Sequence, residues 1–208
     1  MPDRVISDFP LFPLDLVALP HEQVPLHIFE PRYLTMITEC LEGGTEFGIV
    51  WLDDERLRDV GCACRVEEVV ERTEDGRLNI LVRGTQPFRI ISRQDDLPYP
   101  AGTIELLCST EEDPDIEATE RAQEAYAELV RQATEDEPDP ERIAGMDAYA
   151  MAATVDFGLD AKQGLLELRG ENARLRLVTR LFLAATKRLD FIERAQARAR
   201  SNGKVRFG

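Results

Sequence analysis

Residues 25–33 read PLHIFEPRY. Pro25 to Phe29 is a short apolar run of strand type that carries His27, a residue expected in the core or at a sheet edge. Pro31 suits the first position of a helix, where its missing N–H costs nothing. Glu30, just before it, is placed to complement the positive end of the helix dipole. Leu34, Ile37 and Leu41 then recur at helical spacing until Gly43 and Gly44 end the pattern. The nine residues therefore mark a strand that turns directly into a short helix. Glu30 and Arg32 form an ion-pair candidate at the joint.

Working outward, DFPLFPL (8–14) holds Pro10 and Pro13, which suit an edge strand or an extended lead-in. TEFGIVWL (45–52) is a strand candidate with the single tryptophan, Trp51. GCACRVEEVVERTEDGRLNILVRG (61–84) reads as a hairpin turning at Asp75-Gly76, a pair that favours positive φ. QPFRIISR (86–93) and AGTIELLCS (101–109) supply two more strands. Roughly six short strands and one helix predict a small, mostly antiparallel barrel.

At Glu111 the texture changes. Residues 111–141 hold thirteen acids and two bases. Asp113-Pro114 starts a helix whose face is Ala118, Ala122, Ala125, Tyr126, Leu129, Val130 and Ala133. Asp139-Pro140 starts a second, through Ile143, Met146, Ala150 and Met151 toward Gly158. Asp160 and Gln163 have the capping-box spacing of a third, which stops at Gly170. From about Asn172, residues Leu175, Val178, Leu181, Phe182, Ala185, Leu189 and Ile192 keep the spacing of a long last helix, roughly 40 Å in length. Its end, RAQARARSNGKVRFG (194–208), is expected to protrude or fray. Residues 162–206 hold twelve bases and four acids, so the acidic connector and the basic helix are expected to face each other in a four-helix bundle. The fold class is α+β, with a barrel over residues 1–110 and a helical bundle over 111–208.

Composition narrows the function. A net charge of −15 and a pI near 4.6 repel phosphate backbones, which argues against nucleic acid as a partner. No run approaches the ~18 apolar residues of a membrane helix. The opening MPDRVISDFPLFPLDL carries acids and prolines where a signal peptide needs a basic start and an apolar run, so a cytoplasmic location is expected. Cys40, Cys62, Cys64 and Cys108 then read as reduced thiols. Cys62 and Cys64 lack the C-x-x-C spacing of zinc sites, and His21 and His27 are out of register with them, so no metal site is expected. No histidine adjoins a cysteine in sequence, which gives a thiol nucleophile no evident base.

The motifs together resemble a known family. FPLFPLDLVALPHEQVPLHIFEPRYLTMI (9–37) is similar to the opening of the N-terminal domain of Lon proteases, through Pro10 to Leu14, Pro20, Pro25, Leu26, Ile28, Phe29, Glu30, Arg32 and Tyr33. Residues 61–90 resemble that family's hairpin and its Gly-x-x-x-Phe-x-Ile strand, and AKQGLLELRGENARLRLVTRLF (161–182) its Lys-Gln-x-Leu-Leu-Glu and leucine helix. The resemblance implies a PUA-like barrel followed by a helical bundle, implicated in recognising substrate proteins and in oligomer assembly and carrying no catalytic residues. The sequence has no G-x-x-x-x-G-K-[ST] phosphate loop, and the family's serine–lysine pair lies in a part that this sequence does not contain. A stand-alone, non-enzymatic domain without a cofactor is therefore expected.

That expectation makes the chain a module for unfolded or specific proteins and peptides. It would bind by a groove between barrel and bundle or by strand addition. The peptide-binding candidates are Phe29, Glu30, Arg32, Tyr33 and Trp51. The aromatic set Phe9, Phe12, Phe29, Tyr33, Trp51 and Phe88 is otherwise expected in the core. One alternative is a small-molecule binder or enzyme, with a closed pocket near His27, Arg32 or Cys64. Another is a self-assembling adaptor, a homo-oligomer joined through the long C-terminal helix.

Overall fold

The computed structural model describes residues 4–202, except 55, 95, 135 and 136; of residues 197 and 199–202 it describes the backbone alone. The first half holds strands β1 (Arg4–Leu14), β2 (Gln23–Ile28), β3 (Phe47–Asp53), β4 (Arg56–Leu57), β5 (Val60–Arg72), β6 (Leu78–Gln94) and β7 (Ala101–Leu106). Helix α1 (Pro31–Gly43) follows β2. The mixed architecture, a mostly antiparallel sheet and then helices ending in a long one, is the α+β class expected.

β5 and β6 pair as a long antiparallel hairpin, from Arg72↔Leu78 to Val60↔Arg89. Its turn needs one left-handed residue, Gly76 at φ 84°, and Asp75 is not left-handed. β6 is a single strand of 17 residues where the sequence reads as two. Gly84 lets it pass: a Cβ there would stand 2.1 Å from the Leu19 carbonyl oxygen. The loop before β2 is stitched to that point, with His21 N–H donating to Gly84 O and Gly84 N–H to Glu22 O, both at 2.9 Å. The first part of β6 pairs with β2 and the last part with β7. β7 pairs with β1, β1 with β3 in parallel, and β3 with β5, so the circuit closes into a barrel. β1 divides its partners along its length. Pro10 faces Ala101 on β7 and Pro13 faces Val50 on β3, so neither is held between two ladders.

α1 starts at Pro31 as read. Glu30 is its N-cap by backbone only, and its carboxylate goes to Arg32 instead. Gly44, at φ 60°, ends the helix and donates its N–H to Cys40 O. The buried face is Tyr33, Met36, Ile37 and Cys40, and Leu41 lies outside it.

The second half has five helices among the described residues, not four: α2 (Ile116–Thr134), α3 (Pro140–Ala144), α4 (Ala148–Ala152), α5 (Leu159–Glu167) and α6 (Glu171–Asn202). The expected second helix breaks after Gly145 because Asp147 begins a new one, its Oδ1 accepting from Ala150 N–H at 2.7 Å. Asp115, not Asp113, caps α2, accepting from Ala118 N–H at 3.0 Å. The expected Asp160–Gln163 capping box does not form. Gly158 is the cap, and Gln163 is buried, donating to Val60 O at 3.2 Å and to Glu167 at 2.9 Å. The acidic and basic segments do meet: Arg176 pairs with Asp115 at 2.5 Å, and Asn172 N–H donates to Glu112 at 2.7 Å. α6 remains helical to Asn202 through the stretch expected to fray; residues 203–208 lie outside the described residues.

One apolar core runs from Phe12, Tyr33 and Phe47 in the barrel to Leu165, Val178 and Phe182 in the helices. Phe9 and Phe88 centre a smaller cluster, with their rings 5.6 Å apart, edge to face. Polar bonds fasten the halves. Lys162 Nζ meets Glu22 Oε1 at 2.5 Å, and Glu22 Oε2 accepts from Leu19 N–H at 2.9 Å. Arg174, 4% exposed, donates to Leu168 O, Ser109 Oγ and Glu171, and lies over the Tyr149 ring. Burial is the main cause that pushes the Tyr149 phenol up to about 12.

Candidate functional site

The helical half contains an open apolar groove of ≈ 960 Å³ between α2, α6 and the loop Thr154–Gly158. α2 contributes Tyr126, Leu129, Val130 and Ala133; α6 contributes Leu181, Ala185, Leu189 and Ile192. The rings of Tyr126 and Phe157 flank Phe182 at 5.3 and 5.5 Å. The loop wall is fastened by Tyr126 Oη to Thr154 Oγ1 at 2.9 Å and by Gly158 N–H donating to Asp156 Oδ1 at 3.0 Å. Among the described residues, Asp156 and Arg188 are the charged ones that line it. Such a lining removes apolar groups from water and offers little polar chemistry.

α2 and α6 run side by side in one direction: Asp115 pairs with Arg176 near their starts, and the Tyr126 ring packs on Phe182 further along. The α6 lining, Leu181 to Ile192, therefore stands beside the α2 lining, Tyr126 to Thr134, and the loop Thr154–Gly158 forms the third wall. In sequence these helical residues read as bundle core, and their periodicity alone does not separate them from covered positions. The groove lies within the helical half, not between it and the barrel as expected.

The residues singled out at the β2–α1 joint part company. Phe29 is 59% exposed, a correction to its place in the expected core. Its ring stacks on His27 at 5.8 Å, and His27 is exposed as well. Asn79 donates its Nδ2 to Glu71 at 2.8 Å and so turns Oδ1 to His27 Nδ1 at 2.6 Å. That nitrogen must carry the proton, which leaves Nε2 as the bare acceptor in the neutral ring. Glu30 and Arg32 pair at the surface at 2.8 Å. Tyr33 is buried against Phe12, ring to ring at 4.2 Å, and burial raises its phenol pKa while Arg32 lowers it. Trp51 is also buried, donating Nε1 to Asp15 at 3.2 Å beneath the Arg58 guanidinium. Phe29, Glu30 and Arg32 thus present side chains to solvent, and Tyr33 and Trp51 serve the core.

The thiols show the character of buried apolar groups. Cys62 and Cys64 are fully buried, and burial, then the bond to Cys64, pushes the Cys62 thiol well above its ordinary range. Cys64 therefore lies in the core while His27 and Arg32 lie at the surface. Among the described residues no three His, Cys, Asp or Glu side chains gather as a metal set. No described helix is long and apolar enough to cross a membrane.

Comparisons with known proteins agree on the architecture. The model of the ATP-dependent protease La (LON) substrate-binding domain matches residues 8–183. Lon protease 1 of Hydrogenovibrio crunogenus is 22% identical over 206 residues, a match covering 89% of this chain and 25% of that protein. The chain thus spans about a quarter of the length of that curated relative. The crystal structure of a Lon N-terminal domain protein from Xanthomonas campestris is 25% identical with a TM-score of 0.63, covering 82% of this chain and 96% of that one. The N-terminal domain of Mycobacterium avium complex Lon protease is 20% identical with a TM-score of 0.64, covering 86% and 98%. With the strand-to-helix joint, the barrel and the long last helix in place, the chain belongs to the LON substrate-binding domain family.

Proposed function

We propose that the protein recognises other polypeptides by taking their apolar side chains into the groove between α2 and α6. The observation that carries this reading is an open apolar groove of ≈ 960 Å³, lined among the described residues by two charged side chains, Asp156 and Arg188. The family's description as substrate-binding supports the same role. Each apolar side chain buried there contributes about 1.5–3 kcal/mol, so a few anchors offset the cost of association and give micromolar binding. Unfolded chains meet that need because they present apolar residues that folded proteins hide. Phe29, Glu30 and Arg32 form a separate exposed surface, and it is assigned a secondary contact.

Fluorescence anisotropy with labelled apolar and charge-matched polar peptides tests the reading. The apolar peptides bind, and Ala184→Glu and Ile192→Glu each weaken them by about tenfold, the effect of placing a charge in an apolar contact. Both positions are exposed in the free protein, so circular dichroism stays unchanged. Phe29→Ser weakens binding less. Undiminished binding by the Ala184→Glu/Ile192→Glu double variant would refute the groove.

A further inference from the structure

We propose that a second cleft, at the β4 end of the barrel, binds a small oxyanion through a carboxylate or phosphate group. The cleft has a volume of ≈ 300 Å³ and is lined by Arg56, Arg58 and Arg89 together with Asp59 and Glu167. β4 folds back on β3, with Asp53 opposite Arg56, which brings Arg56 and Arg58 to the entry of β5. Arg89 reaches the same place from β6, where it stands opposite Val60. Three arginines from two segments, the β4 turn and β6, thus line one cleft on a chain whose net charge is −15.

Their existing bonds leave donors unused. Arg56 makes no ion pair among the described residues. Arg58 gives Nη2 to Asp53 at 3.0 Å, but its Nε is buried with no hydrogen-bond partner among the described residues. Arg89 Nη1 stands 3.9 Å from Glu105 Oε2, beyond a hydrogen bond. Glu167, which also lines the cleft, accepts from Gln163 at 2.9 Å. An oxyanion in the cleft supplies acceptors to the N–H donors of Arg56 and Arg89 that no described residue takes. The planar guanidinium fork matches the paired oxygens of carboxylate and phosphate.

The central arginine is held in advance of any ligand. Its guanidinium lies 4.7 Å over the Trp51 ring, its backbone N–H donates to Trp51 O at 2.9 Å, and Trp51 is itself tied to Asp15. The acidic surface opposes anions at long range, but at physiological salt that field is screened beyond about 8 Å. Short contacts then decide binding, three arginines against the two carboxylates of Asp59 and Glu167, and the volume suits a small ligand.

Trp51 is the single tryptophan, so its emission reports on the guanidinium above it. The experiment titrates the whole chain with inorganic phosphate and, separately, with succinate, each at constant ionic strength set by chloride. A saturable change in Trp51 emission is expected, and the tighter anion identifies phosphate or carboxylate as the group taken. Arg56→Gln and Arg89→Gln should each raise the apparent Kd about tenfold, the loss of one charge-assisted bond, with the far-UV spectrum and groove binding unchanged. Both residues are exposed, so the fold does not depend on either. Emission that follows ionic strength alone, or titrations unaltered in the Arg56→Gln/Arg89→Gln double variant, would overturn the proposal.

Discussion

Glu22 and Lys162 meet at the junction of barrel and helices with side chains 15% and 12% exposed, the best-buried ion pair described between the two halves. Glu22 also accepts from Leu19 N–H, so its carboxylate is satisfied on both sides. Removing one partner strands the other charge in a poor solvent. Lys162→Met alone and Glu22→Gln alone should each lower the unfolding free energy by about 3 kcal/mol. The double variant should cost less than the sum of the two, because no stranded charge remains. Urea denaturation of the four proteins measures the cycle, and strict additivity would show that the pair does not couple. Their pairing was not legible in sequence: Glu22 lay in a loop, and Lys162, the lysine of the Lys-Gln-x-Leu-Leu-Glu motif, in a helix, 140 positions apart. Phe29 shows the same limit from the other side. Its run reads as apolar, yet the strand's alternation buries Leu26 and Ile28 and turns His27 outward.

At the scale of single elements, β6 is the most constrained. Its passage through Gly84 depends on the absence of a side chain, since a Cβ would overlap the Leu19 carbonyl at 2.1 Å. Gly84→Ala must push back the loop that β6 is bonded to, and it should destabilise the protein by about 2–3 kcal/mol. A lowered urea midpoint with an unchanged slope is the expected reading. A midpoint equal to that of the native chain would mean that the loop yields freely. Signals confined to a few neighbouring residues were legible in sequence: Pro31 and Gly44 bound α1, and Gly76 turns the hairpin. Choices made by tertiary contact were not. Gln163 looked like half of a capping box and instead reaches the wall of the barrel at Val60. Asp147 looked like helix interior and caps α4 because the chain turns there to bring Tyr149 under Arg174.

For the whole molecule, the composition break near residue 110 suggested two units, while one apolar core joins Phe12 to Phe182. A shared core predicts cooperative unfolding. Trp51 reports on the barrel and ellipticity at the helix band reports mostly on the second half. The two probes should give one coincident urea transition, and midpoints that separate would establish independent units. The groove belongs to this scale as well. Its helical residues obey the periodicity of bundle core, and only the packing of α2, α6 and the loop Thr154–Gly158 leaves them open.

β1 completes the barrel by touching β7 with its first half and β3 with its second. During synthesis that order has a consequence. Arg4 waits for Leu106, and at the usual rate of translation the interval is roughly 5–20 s. Through it, Val5, Ile6 and Phe9 form an apolar strand with an open edge, the kind of segment on which nascent chains aggregate. Pro10 and Pro13 cannot donate to a foreign ladder. The residues that the closed barrel accommodates by giving β1 one neighbour at a time are also those that keep the strand from pairing too early.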